Sequence, residues 1–300
     1  MKPLLLAFLI PALAMPVLAQ GFQAKAALST KDGKNILAWI TRANDKQIEF
    51  KISEVATVTE AANIDAFSTI YLMHQEDFGE AVDIYEGGDY KAAKEKFVAL
   101  KKRYEPIATL KDNFHTLSAF YEMESMRKLG DYKGLSEALQ SFKKEPMTRE
   151  HRLRQLDLYV MWDAVGSEKW DSVITMANER DLEDLPDYQR VQIAFGKGLA
   201  LHKTGKSEEA LIEYSHAMTA DAGASETLVR KAALNSLEIY LEDENVKAAI
   251  ASLKVNPENK SLPGYERLKR AAALAKLYED VLNTAEPLPE NYKAILPYAG

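Results

Sequence analysis

Two periods of hydrophobic and polar positions divide the chain. Between Phe22 and Tyr71 apolar residues alternate with polar ones in short runs rich in Ile, Val, Thr and Phe, which is the pattern of half-buried strands. From about residue 74 onward they recur every three or four residues, which places them on one face of a helix. The alternating part predicts five strands, over 24–29, 35–42, 47–52, 55–59 and 67–71, with a single helical turn near 63–66. Lys31-Asp32-Gly33-Lys34 supplies the first hairpin turn, because glycine tolerates positive φ, and Asn44-Asp45 supplies the next. Ile36, Ala38 and Ile40 share one face of the second strand, and Ile48, Phe50 and Ile52 are expected to point inward from the third.

The helical part has a recurring grammar. A helix over 75–86 turns at Gly87-Gly88-Asp89 into a second helix over 90–104, on which Tyr90, Ala93, Phe97 and Leu100 form a stripe and Asp89 is placed to cap. The second pair runs over 113–129 and 133–144 around Gly130-Asp131-Tyr132, with Leu135, Leu139 and Phe142 on the stripe. The third spans 149–165 and 168–178 around Gly166-Ser167, with Trp170, Val173 and Ala177 in the equivalent places. The fourth places Gly198 and Leu201 before Gly205, and Ala210, Tyr214 and Ala217 after it. A fifth pair over 226–241 and 244–253 precedes a lone helix over 264–282 and a tail that is either laid over that helix or loose.

The series Ala81, Gly88, Asp89, Tyr90, Ala93, Phe97 and Leu100 resembles the tetratricopeptide repeat, and the fourth unit matches as well. The resemblance implies a mainly α fold, a right-handed α–α superhelix in which each hairpin buries its apolar face on its neighbours around a concave groove. The corners at Tyr90, Tyr132, Trp170 and Ser207 lie farther apart than the roughly 34 residues of a standard unit, and 106–112 reads as an insertion. The N-terminal stretch from Ser29 to Phe50 resembles the small Src-homology-type or Sm-like barrels of bacterial envelope proteins, which implies a five-stranded barrel. The alternative is a sheet that caps the first helix of the array. The expected division is a leader over 1–19, a barrel over 20–73, five helix pairs over 74–255, and a capping helix with tail over 256–300.

Charge and composition bear on location. Lys2 followed by an apolar run over 4–18 and by Val17-Leu18-Ala19 reads as a secretory leader cut after Ala19. The run is broken by Pro11 and Pro16 and falls short of the roughly 20 residues needed to span a bilayer, so a periplasmic or extracellular protein without stable membrane insertion is expected. A formal net charge of −7, one unit more negative without Lys2, opposes general nucleic-acid affinity. The absence of cysteine excludes disulfides, thiolate metal sites and cysteine catalysis.

Candidate chemistry yields to packing at each point. Gly205-Lys206-Ser207 lacks the earlier glycine and the strand of a phosphate loop. His74, His115, His151, His202 and His216 show no metal-binding spacing, and acidic pairs such as Glu122 with Glu124 are expected on solvated stretches. Lys91, Lys94, Lys96, Lys101, Lys102 and Arg103 oppose the apolar stripe and read as a solvated face.

The first helix of each pair lines the groove in the family that the chain resembles. Equivalent places there hold Phe78 and Val82, Phe120 and Glu124, Leu158 and Trp162, then Phe195 and Leu199, with Arg127, Lys128, His202 and Lys203 one turn on. Aromatic anchors with cationic edges suit a protein or peptide partner, and the same rings could instead fill the core. Trp39 and Tyr71 are the candidate contacts for a small molecule or glycan on the barrel. The expectation is an exported, non-enzymatic scaffold without cofactor or metal, whose oligomeric state the pattern does not address.

Overall fold

The computed structural model describes residues 21–180, 184–220, 225–283 and 286–299. The leader expected over 1–19 lies outside the described residues. Five antiparallel strands come first: β1 (Ala24–Thr30), β2 (Asn35–Ala43), β3 (Gln47–Lys51), β4 (Glu60–Asn63) and β5 (Phe67–Leu72). They form one sheet in the order β4-β3-β2-β1-β5. The sheet is open, which corrects the closed barrel expected from the sequence. β4, only four residues long, pairs with β3 and not with β5. Its place in the chain also differs from the expected strand, because residues 53–59 form no strand and leave Val55 84% and Val58 71% exposed. Ile52, expected to point inward, is exposed as well.

Closure is unnecessary because helices cover the inner face. Ala24, Ala26, Leu28, Ala38, Ile40, Ile48 and Phe50 share one buried core with Phe78, Ala81, Ala93, Phe97 and Leu100 from α1 (Glu76–Glu86) and α2 (Tyr90–Arg103). The insertion after α2 docks the sheet: a 3-10 turn, Glu105–Ile107, packs on β2, and Ile107 and Leu110 are buried in the same core. Each large apolar side chain buried here contributes about 1.5–3 kcal/mol relative to exposure.

The helices follow as consecutive packed pairs: α1 with α2, α3 (Phe114–Leu129) with α4 (Tyr132–Ser141), α5 (Glu150–Gly166) with α6 (Trp170–Arg180), α7 (Asp187–Lys203) with α8 (Ser207–Ala220), and α9 (Glu226–Glu242) with α10 (Glu244–Val255). The first helices of the pairs also meet one another. α1 packs on α3, α5 on α7 and α7 on α9, while Phe120 of α3 lies 5.8 Å from Tyr159 of α5. The corners have a common physics. Gly88, Gly130 and Gly205 all take positive φ, and Asp89 and Asp131 then cap α2 and α4 by accepting from Ala92 N and Gly134 N at 3.0 Å. In the third pair Glu168 occupies the left-handed position at φ 55°.

Two packing details set the geometry of the pairs. A Cβ on Gly198 would meet the Tyr214 ring at 2.8 Å, so its absence lets α7 cross close to α8. α4 ends at Ser141, three residues short of the expected end, and Phe142 leaves the helix in extended conformation. At the C-terminus α11 (Tyr265–Leu277) packs on α9 and α10 and continues as a π-helical turn, Tyr278–Leu282. The tail is laid over it: α12 (Glu290–Lys293) contacts α11, Leu288 and Ile295 are buried, and the Tyr278 hydroxyl donates to Glu286 O at 3.2 Å. No helix among the described residues is long and apolar enough to cross a membrane.

Candidate functional site

A cavity of 310 Å³ opens between the first helices of the first four pairs. Tyr85 of α1, Phe120, Tyr121, Glu124, Arg127 and Lys128 of α3, Gln155 of α5 and Tyr188 and Gln192 of α7 line it, with His151 and Arg152 from the first turn of α5 and Ser225 at the start of α9. Every one of these residues lies on a first helix or its cap; the second helices contribute none.

The polar centre of the cavity is a buried ion pair. Arg127 Nε donates to Glu124 Oε2 at 3.0 Å, and Arg127 Nη2 donates to Glu124 Oε1. The three-residue spacing places both side chains on one face of α3. The Tyr159 hydroxyl donates to Glu124 Oε2 at 2.7 Å and the Tyr85 hydroxyl to Glu124 Oε1 at 3.2 Å. Burial by itself would raise the Glu124 carboxyl, but the Arg127 charge and the hydrogen bonds from Arg127 and Tyr159 override it and hold the pKa at about 2. Burial, followed by the Glu124 charge, pushes both tyrosine hydroxyls far above their ordinary value, so they stay protonated as donors. This corrects the expectation that Glu122 and Glu124 sit on solvated stretches. Glu122 is also buried, paired with Lys101.

Beneath the ion pair an aromatic series carries the packing. The Arg127 guanidinium lies 5.9 Å from the Trp162 ring. Trp162 stacks on Tyr132 at 5.4 Å and on Phe195 at 6.1 Å, and Phe195 meets Tyr214 at 6.0 Å. The buried Trp162 Nε1 donates to Gln192 Oε1 at 3.0 Å, and Gln155 and Gln192 exchange amide hydrogen bonds at 3.0 and 3.1 Å. These bonds satisfy buried polar side-chain atoms among the packed rings.

Lys128 is held differently. Its ammonium lies 5.6 Å from the Tyr90 ring centroid, and burial followed by the neighbouring Arg127 charge lowers its pKa to about 8. His151 is lowered too, by burial first and then by Arg152 and Arg149.

Of the residues singled out in sequence, the structure brings Phe120, Glu124, Arg127 and Lys128 together at this cavity. Phe78, Leu158, Trp162 and Phe195 are buried in the core, and Val82 and Leu199 are packed against it. His202 is half-buried beside Tyr214, 6.3 Å away, and Lys203 is exposed. Trp39 and Tyr71 are not at this site. Tyr71 is exposed on β5, and Trp39 lines a separate polar cleft with Lys25, His74 and Glu76, the Lys25 ammonium 5.9 Å from its ring.

Tyr85, His151, Arg152, Gln155, Tyr188 and Gln192 escaped sequence reasoning. Gln155 and Gln192 had a usable signal: they lie on successive first helices 37 positions apart, the same spacing as the corners at Trp170 and Ser207. Among the described residues no group of three or more metal-ligating side chains gathers. Comparison of the chain with family models, curated proteins and solved structures finds no match.

Proposed function

We propose that the chain is an exported scaffold of stacked helical hairpins, a tetratricopeptide-like superhelix, which holds a protein or peptide in the cleft formed by its first helices. The observation that carries this reading is the composition of the cavity wall, drawn wholly from the first helices and combining aromatic rings with cationic groups around buried, hydrogen-bonded polar atoms. Pre-organised aromatic and arginine groups are the usual anchors of a recognition surface. The sheet, whose inner face is filled by α1 and α2, serves as the cap of the first hairpin. On this reading the expected leader over 1–19 is cleaved and the mature chain works in the periplasm or outside the cell. No catalytic step is assigned to the cleft, since its carboxylate is held as an ion-paired anion and its tyrosines as protonated donors.

Affinity capture from an extract of the cell envelope tests this reading. Tyr188→Ala and Arg152→Glu, at the cavity wall, should each deplete the captured partner, while Ile212→Glu on exposed α8 should not. Capture that is equally sensitive to Ile212→Glu, or insensitive to both cleft variants, would contradict it.

A further inference from the structure

The charges in the cavity do not balance. Arg127, Lys128 and Arg152 face it, with His151 beside Arg152, and the carboxylate in its lining belongs to Glu124. Glu124 is already engaged by Arg127 and by the hydroxyls of Tyr85 and Tyr159. Among the described residues neither Lys128 nor Arg152 has a carboxylate within ion-pair distance. Lys128 is half-buried against the Tyr90 ring, and burial first and then the Arg127 charge lower its pKa, with Glu124 acting the other way. A half-buried cation with no paired anion is unfavourable, and an acidic group of a ligand would supply the missing charge. A cavity of 310 Å³ is at the small end of ligand sites, so it admits one acidic group with few attached atoms.

We propose that this cavity is an anion site that takes a carboxylate or phosphate group of the ligand, with Lys128 Nζ as its main donor and Arg152 as the second at the mouth. The proposal deepens the cleft reading and rests on it. Losing a charge-assisted hydrogen bond from Lys128 should weaken the anion about tenfold to a hundredfold.

Trp162 offers a local reporter, because its indole N–H donates to Gln192 at the cavity wall and its ring lies against Arg127. The full chain is titrated with inorganic phosphate, sodium acetate and N-acetylglutamate at constant ionic strength, following the three indole N–H resonances by NMR. Trp39→Phe and Trp170→Phe identify the Trp162 signal. The expected result is a saturable shift of Trp162, with Trp39 and Trp170 unmoved. Lys128→Met should weaken it by the stated factor, Lys128→Arg should retain it, and Arg152→Gln should weaken it less. A response to phosphate without acetate assigns a phosphate group, and a response to acetate and N-acetylglutamate assigns a carboxylate. No shift with any probe, or an equal shift in Lys128→Met, overturns the proposal. Partner capture that depends on Tyr188 while Trp162 ignores every anion would overturn the anion site and leave the cleft reading standing.

Discussion

At the scale of single residues, Glu124 and Arg127 stabilise only as a pair. Removing one partner strands a buried charge at a cost of about 3–5 kcal/mol, whereas replacing both by apolar groups of similar volume is often near neutral. Denaturant unfolding should therefore show Glu124→Gln strongly destabilised and Glu124→Leu combined with Arg127→Met far less so. The pair also sets an acid limb. The folded pKa of about 2 lies below the ordinary 4.5, so the contribution of Glu124 is complete above 4.5 and is lost as pH falls from there toward 2. Lys128 has the opposite consequence. Its folded pKa of about 8 lies below the ordinary 10.5, the unfolded chain binds more protons between those values, and stability rises with pH across that window. Lys128→Met should therefore raise the melting temperature at pH 7, and the gain should shrink by pH 10. A gain independent of pH would mean that the ammonium is better solvated than its position indicates.

At the scale of elements, the corners were the most legible feature in sequence, because a left-handed residue followed by a capping Asp is a local requirement that composition displays directly. Gly88-Asp89 and Gly130-Asp131 were readable for that reason. The sequence predicts the third corner at Gly166-Ser167, but the left-handed residue is Glu168, and Gly166 is small because a Cβ there would meet Tyr132 at 2.4 Å. Glu168→Gly should stabilise by about 1 kcal/mol, the strain of a side chain in that conformation. Gly198→Ala should destabilise by about 1–3 kcal/mol through overpacking against Tyr214. Thermal melts of the two variants check both. Strand pairing was less legible, since alternation shows which face is buried but not what buries it. The same alternation in β2 and β3 suits a barrel or a sheet covered by helices. Groove positions were hardest, because Phe78, Trp162 and Phe195 sit on helices that are apolar on more than one side, and spacing alone does not separate wall from core.

At the scale of the molecule, the sheet and first hairpin share one core, the central hairpins share another, and the last hairpin is closed by α11 and the tail. Deleting residues 21–72 should uncover Phe78, Phe97 and Leu100 and speed amide exchange in α1 and α2. Unchanged exchange there would show the sheet to be a separable unit.

The central claim, that recognition belongs to the cleft between first helices, is tested most directly by photo-crosslinking in intact cells. A photoreactive residue is placed at Tyr85 or Tyr188 in the cavity wall and at Val98 or Ile212 on the exposed faces of α2 and α8. The predicted result is one discrete partner crosslinked from both cleft positions and from neither outer one. A partner crosslinked from Val98 or Ile212 with none from Tyr85 or Tyr188 would contradict it.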